Sequence, residues 1–526
     1  MAKGNIPVLD RVSDYAVHYA QQQPEKIALV HDGQRQSYGE LADRVNRLAR
    51  ALVAAGVAPG DRVAMLCTPR PEYLVVFLAV SSIGAIWVGL NPRYKIGEFR
   101  QIIHEARPKI IVALTLIEGR SYHEDLATLT REFAFFERII ALDAGMPGAD
   151  ALETFLARGD GVSAKTIDAR RGSVGADDTA VIIFTSGSTG APKGAMLSHF
   201  GLIHGALTEH ANWPSRHPVV LSNMPINHIA GLGMTTLFGL IGGATLVFQE
   251  RFDAARLLQL VTRERITFWL QSPVSFHLVA NHPDFDGADL SSLEYIVWGG
   301  SPMAESLIAR LYQRVPRLAT AFGMTELSTY ATYSAAGAGF EELSGSIGRP
   351  WKGYELRLAD AEGRAPPPGG HGEIQARGRW LMRGYFGRED ATRDAFTADG
   401  WFRTGDVAIA KPDGNWSIVG RMKEMYKSGG YNIYPREIEI AIESHEAVAL
   451  AAVIGVSDPV FHEVGHAFVE LHRGCTESAA GITAWCAGLL ANYKVPKHIT
   501  ILAALPVLAS GKIDKVSLRS RVQPPA

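Results

Sequence analysis

At 526 residues, 47% hydrophobic and 20% charged, the chain has the balance of a globular enzyme; this excludes a disordered or fibrous protein, and the length predicts two or more domains. The 52 Lys and Arg are matched by 54 Asp and Glu with no block of either sign, so the charge gives no reason to expect nucleic acid. Cys67, Cys475 and Cys486 lie far from any CxxC spacing, which argues against a disulfide framework and a thiolate metal site and predicts a reducing compartment.

The N-terminal MAKGNIPVLDRVSDY lacks a signal-peptide core, and Ala2 breaks the myristoylation pattern, so the expected location is the cytoplasm. Ser37 and Glu40 form a capping box, after which Leu41, Val45, Leu48 and Leu52 recur at helical spacing as far as Gly56. Residues 73–90 carry no charge and approach the length of a membrane span, but Ser81, Ser82 and Gly84 interrupt them; the expectation is a buried core helix and no membrane span. Short apolar runs at 62–67, 109–113, 138–142, 180–185, 219–223 and 295–298 alternate with helix-like stretches. The pattern predicts α/β architecture with mainly parallel sheets. From about residue 363 Gly/Pro punctuation and a short strand at 373–377 predict a β-rich subdomain. Beyond residue 421 come a helix opened by Pro435, short strands at 451–456 and 467–471 and a last strand at 498–502, the signature of a small α+β domain.

Directly after the apolar strand stands Thr185-Ser186-Gly187-Ser188-Thr189-Gly190-Ala191-Pro192-Lys193-Gly194. Small residues let backbone N–H groups approach phosphate oxygens, hydroxyls donate further hydrogen bonds, and Lys193 adds charge. The segment is not a Walker loop: Pro192 replaces the glycine of GxxxxGK[ST], and Gly194 replaces the magnesium-binding Ser or Thr.

On these residues the sequence resembles the acyl-adenylate-forming superfamily of acyl- and aryl-CoA synthetases, peptide-synthetase adenylation domains and luciferases. Six more segments match in the family's order: PINHIAG (225–231), WGGSP (298–302), AFGMTE (321–326), WFRTGD (401–406), GRMKEMYKSGGYNIYPREIE (420–439) and ASGKI (509–513). The resemblance covers nearly the whole chain. It implies an N-terminal adenylation domain over 1–421, β-rich from about 340, and a mobile C-terminal domain over 422–526.

The implied reaction is activation of a carboxylic acid with ATP and Mg²⁺, then transfer of the acyl group to coenzyme A; catalysis is mostly positioning and charge stabilisation. By resemblance, Thr325 donates to the α-phosphate, and Glu326 holds Mg²⁺, a carboxylate suiting a hard cation beside phosphates. Asp406 accepts both ribose hydroxyls, Arg421 reaches the ribose or phosphates, and Gly300, Ser301, Pro302, Phe322 and Gly323 surround the adenine. Phe322 replaces the family's more usual Tyr. Lys512 is the mobile lysine bridging carboxylate and α-phosphate, although Val507 and Leu508 depart from the family's PRTxSGK. Lys423 takes the hinge position, and the Lys427-Ser428-Gly429-Gly430 loop faces the thioester step. His228, Ile229, Ala230, Gly231, Met234, Trp298, Gly299, Ala321 and Tyr330 line the acyl pocket. None of these is a carboxylate, Lys or Arg, so an apolar acid is expected, medium-chain fatty or aromatic.

His462-Glu463-Val464-Gly465-His466 spells the zinc-protease HExxH, but Gly465 weakens a helix and a strand follows, so zinc is not expected. Two other function classes stand beside the CoA ligase: a stand-alone adenylation protein that loads a carrier protein, and a non-catalytic binding relative. A homodimer is left open.

Overall fold

The computed structural model describes residues 6–143, 145–185, 192–215, 217–360, 362–428, 431–508 and 513–522. The uncharged stretch at 73–90 resolves into two buried elements rather than the one expected helix. Pro71 opens the helix Pro71–Ser82, where its missing N–H needs no partner, and Gly84, at φ +78°, turns the chain into the strand Ile86–Leu90. No described helix is long and apolar enough to cross a membrane. The Ser37–Glu40 capping box forms as expected and opens the helix Tyr38–Ala54.

Two large sheets carry the N-terminal part. In one, strands run in the order Lys193–Ser198, Thr179–Thr185, Ile86–Leu90, Arg62–Leu66, Ile110–Ala113, Arg138–Ala141 and Asp150–Ala151, parallel except at the first pair. The other runs Arg349–Pro350, Thr329–Tyr333, Leu318–Met324, Tyr295–Gly299, Phe268–Gln271, Val219–Ser222, Thr245–Phe248, Ile27–His31 and Gln34–Ser37. Its middle is parallel, and antiparallel strands close both edges. Strands covered on both faces are near-continuous apolar runs, which is why the sequence shows them as short hydrophobic blocks.

The second sheet separates two core layers. Tyr295, Val297, Ala319 and Ala321 pack with the first sheet and its helices, while Ile296, Trp298 and Leu318 pack with Trp269, Phe276 and Ile308 on the opposite face. Each large side chain buried in this way contributes about 1.5–3 kcal/mol relative to exposure.

An antiparallel four-stranded sheet follows, Glu355–Ala359, His371–Arg377, Phe402–Ala410 and Trp416–Arg421. The small C-terminal part is built on a hairpin of Val448–Asp458 with His462–Leu471, joined by Tyr426–Ser428, Tyr431–Ile433 and His498–Leu502. The hairpin strands are longer than the sequence suggests. HExxH is therefore strand from its first residue, which sets His462 and His466 about 13 Å apart on one face, too far to share an ion. His466 instead hydrogen-bonds Thr500 Oγ1 at 2.8 Å.

Candidate active site

The strand Thr179–Thr185 returns as the antiparallel strand Lys193–Ser198, with Thr185 opposite Lys193. A Walker loop passes into a helix instead. A Cβ at Gly194 would lie 2.6 Å from Ile182 Cγ2 and 3.1 Å from Phe184 Cζ, so the Ser or Thr that a Walker loop needs has no room. Ser186, Gly187, Ser188, Thr189 and Gly190 lie outside the described residues.

The strand Leu318–Met324 runs into a 3₁₀ turn over Thr325–Leu327, where Thr325 and Glu326 are both buried at 5% exposure. Glu326 Oε1 accepts a hydrogen bond from the Tyr385 hydroxyl at 2.9 Å and a long one from Thr185 Oγ1 at 3.5 Å. Lys193 Nζ sits 5.2 Å from the centre of the Tyr385 ring, within cation–π range. Burial and then the neighbouring Glu326 charge push the Tyr385 phenol far above its usual range, so it remains a donor. The backbone joins the same groups: Met382 N–H donates to Glu326 C=O and Phe386 N–H to Gly194 C=O, each at 2.8 Å. Sequence reasoning missed Tyr385, because a lone tyrosine in RGYFGRED carries no chemical spacing.

Gly405, at φ +73°, turns the strand Phe402–Ala410 so that Asp406 N–H reaches Thr404 Oγ1 at 3.1 Å. Asp406 is 5% exposed, and its Oδ1 accepts from Arg421 Nε at 2.9 Å across the register pair Asp406–Arg421. The Asp406 charge is the main cause that raises the guanidinium's pKa, and Glu424 and then Glu326 add to it, so three carboxylates act on one cation. Gly300, Ser301 and Pro302 form an exposed loop after the strand Tyr295–Gly299. Phe322 packs, half-buried, between the large sheet and the four-stranded sheet. Gly323 is small for a packing reason: a Cβ there would meet Thr329 O at 2.3 Å.

On the acyl side, a Cβ at Gly299 would sit 3.0 Å from Ala321 O and 3.2 Å from Tyr330 Cε1, so these three sequence-predicted residues are neighbours. Trp298 is a correction. Strand alternation sends its ring to the other core layer, away from Gly299 and Tyr330. His228 caps a short helical turn, Ile229–Gly231, by accepting Ala230 N–H on Nδ1 at 3.1 Å. Ile229, Ala230, Gly231 and Met234 are buried in this turn and the π-helix that follows, Leu232–Leu237, an irregularity common at functional sites.

In the C-terminal part, Lys423 is exposed and borders a pocket of about 310 Å³ together with Tyr426, Gly455, Glu463 and Arg519. Lys427 N–H donates to Glu463 Oε2 at 3.1 Å, and Ser428 pairs with His462. Lys512, Gly429 and Gly430 lie outside the described residues. Three residues beyond Lys512, Lys515 Nζ binds Glu424 Oε2 at 2.6 Å and the buried Glu439 Oε1 at 2.7 Å, tying the last helix to the segment that follows Lys423.

Comparison with known proteins bears directly on this geometry. The family model described as AMP-binding enzyme matches residues 17–386, and that of the AMP-binding enzyme C-terminal domain matches residues 437–512. The chain belongs to the AMP-binding enzyme family. A feruloyl-CoA synthase of Amycolatopsis sp is 36% identical over 97% of this chain and 99% of its own length. An indoleacetate–CoA ligase of Aromatoleum aromaticum is 34% identical over 97% of this chain and 98% of its own. The crystal structure of the anthranilate CoA ligase AuaEII in complex with anthranoyl-AMP superposes with TM-score 0.88, covering 99% of both chains at 24% identity, a likeness of fold. Within this family the chain is an AMP-forming acid–thiol ligase, with a large N-terminal part of mixed sheets and a small C-terminal one.

Proposed function

We propose that the chain activates an apolar acid, aromatic or medium-chain, as its acyl-adenylate with ATP and Mg²⁺ in the cytoplasm, and then forms the acyl-CoA thioester. One observation carries this reading. The strand Leu318–Met324 bears Ala321, next to Gly299 and Tyr330, and five residues later the chain reaches Glu326, beside Thr185 and Tyr385. On this reading a carboxylate on the acyl side would lie next to phosphates bound beside Thr185. The feruloyl and indoleacetate relatives support an aromatic acid.

In the first half-reaction a carboxylate oxygen bonds to the α-phosphorus and pyrophosphate leaves; in the second the CoA sulfur bonds to the acyl carbon and AMP leaves. Glu326 would hold Mg²⁺, which supplies charge to the phosphates. Its carboxylate fits that task because it is buried, held by Tyr385 and set beside the phosphate-loop strand. Asp406 takes the ribose diol, Arg421 and Lys193 the phosphates, and Lys512 the charge developing between carboxylate and α-phosphate. We assign residues 1–421 to the adenylation domain and 422–526 to a domain that turns about Lys423, so that Lys512 and the loop beginning Lys427-Ser428 serve the two steps in succession.

Separate single-turnover assays test this. Lys512→Ala should lose acyl-AMP formation by about 10²–10³-fold, the usual effect of one electrostatic donor, and still transfer acyl from supplied acyl-AMP to CoA. Lys423→Pro, which fixes φ near −65°, should do the reverse, with thioester transfer down by roughly tenfold or more. Equal loss of both steps in either variant overturns the assignment. Pyrophosphate release without CoA consumption would instead favour a protein that loads a carrier.

A further inference from the structure

The helix His199–Asn212 lies between the two segments proposed to line the acyl pocket, packing on the Leu232–Leu237 turn on one side and on the strand Thr329–Tyr333 on the other. Toward the strand it presents Gly201, Gly205 and Glu209, spaced one turn apart. The glycines permit close approach: a Cβ at Gly205 would lie 2.5 Å from Thr329 Cβ, and one at Gly201 would lie 2.8 Å from Ser328 Oγ. The third position is a carboxylic acid with 1% exposure.

Glu209 Oε1 accepts from Thr329 Oγ1 at 3.0 Å, while Oε2 is buried with no hydrogen-bond partner among the described residues. Among the described residues Glu209 makes no ion pair. Four residues further, the Trp213 indole N–H is also buried and, among the described residues, without a hydrogen-bond partner. The Trp213 ring stands edge-on to Tyr330 at 5.9 Å and to Tyr333 at 5.4 Å, and Tyr330 reaches Gly299 at its other end. An unpaired buried polar atom costs its own desolvation, so a group that paired with both of these, four residues apart in the chain, would be stabilised there.

We infer that Glu209 is a specificity-determining residue at the inner end of the acyl pocket, and that the cognate acid is aromatic and carries a hydroxyl or ring N–H that pairs with Glu209 and Trp213. This rests on the CoA-ligase reading above and names its substrate class. Burial keeps the Glu209 carboxyl protonated well above the carboxylate range, so it both donates and accepts, as a neutral hydroxyl does. The Tyr330 and Tyr333 phenols, pushed up chiefly by burial, likewise stay neutral. A straight alkyl chain would leave both orphan atoms unpaired; a ring lying along Tyr330 would bring its far substituent to them. Sites that hydrogen-bond a substrate hydroxyl reject the analogue lacking it far more strongly than apolar pockets discriminate by size.

The test is pyrophosphate release by the full-length enzyme with ATP, Mg²⁺ and, in turn, 4-hydroxycinnamate, cinnamate and octanoate. The wild type should favour 4-hydroxycinnamate over cinnamate by about tenfold or more in kcat/KM. Glu209→Leu should bring that ratio to about one by raising KM for the hydroxylated acid, with KM for ATP unchanged. Glu209→Gln keeps a donor and an acceptor and should retain most of the preference. Trp213→Phe keeps an aromatic ring but loses the N–H with the five-membered part of the indole, and should lower the ratio even if the leucine variant does not fold. A wild-type ratio near one, a preference for octanoate, or a folded leucine variant that keeps the ratio overturns the inference and leaves the ligase reading standing. Failure to release pyrophosphate with any of a broad panel of acids overturns both.

Discussion

Around Glu326 and Asp406 the protein holds its charges with its own side chains: Tyr385 donates to one and Arg421 to the other. Around Gly299 and Gly231 the geometry is set by absent side chains, since a Cβ at either would press on a neighbouring carbonyl oxygen, 3.0 Å away for Gly299 and 2.3 Å for Gly231. The proposed nucleotide side thus has electrostatic pairs that a ligand can enter and share besides its tight glycines, whereas the proposed acyl side around Gly299 and Gly231 is set mainly by steric limits. Substitutions on the first side should have graded effects on ATP and metal dependence. On the second side they should disturb the packing itself.

The largest effect is expected from the mould. In Gly231→Ala the new methyl would lie 2.3 Å from Pro225 O and 2.9 Å from Met224 O, both backbone atoms that cannot swing aside. Overpacking of this kind costs roughly 1–3 kcal/mol, occasionally more, and the backbone contact puts this case at the upper end. Thermal unfolding should show a melting temperature lowered by several degrees, together with loss of acid binding. A variant with wild-type stability and acid KM would break the comparison.

Asp406→Ala comes next. Removing the carboxylate leaves Arg421 and, on the proposed assignment, the ribose hydroxyls without their acceptor, a loss of about 1–3 kcal/mol that should appear in KM for ATP, with KM for the acid little changed. An unchanged KM for ATP in a folded variant would remove Asp406 from the nucleotide side.

How legible these two sides are in the sequence follows from the same difference. On the proposed nucleotide side Thr325-Glu326 and Gly405-Asp406 are contiguous in the chain, so short motifs carry them, and the runs at 62–67, 109–113 and 295–298 stand out as apolar blocks. Tyr385 reaches Glu326 from 59 residues away, and Glu209 meets Thr329 across 120 residues. Neither contact leaves a local pattern. Trp298 was misread for another reason: the WGGSP match marks the position but not the face, and the alternation of Tyr295, Val297 and Gly299 against Ile296 and Trp298 decides which way the ring turns. The single-helix expectation for 73–90 failed because composition registers burial, which both elements share, while Gly84 registers the turn.

The smallest effect sharpens the electrostatic side. Tyr385→Phe removes one hydroxyl and leaves the ring under Lys193, so the cation–π contact at 5.2 Å survives while the 2.9 Å hydrogen bond to Glu326 is lost. Hydrogen bonds to charged groups usually contribute about 1.5–3 kcal/mol, but the Glu326 carboxylate also accepts a long contact from Thr185 Oγ1, so about 1 kcal/mol is expected. If Glu326 holds the metal, that loss should appear as a roughly fivefold higher Mg²⁺ concentration at half-maximal adenylation. KM for the acid should stay put, because Tyr385 lies beside Ala195 and Glu326. A Mg²⁺ titration of acyl-AMP formation at saturating acid reads this directly. If the midpoint does not move while kcat falls, Tyr385 acts on the phosphates through Lys193 instead. If neither changes, the phenol only fills space.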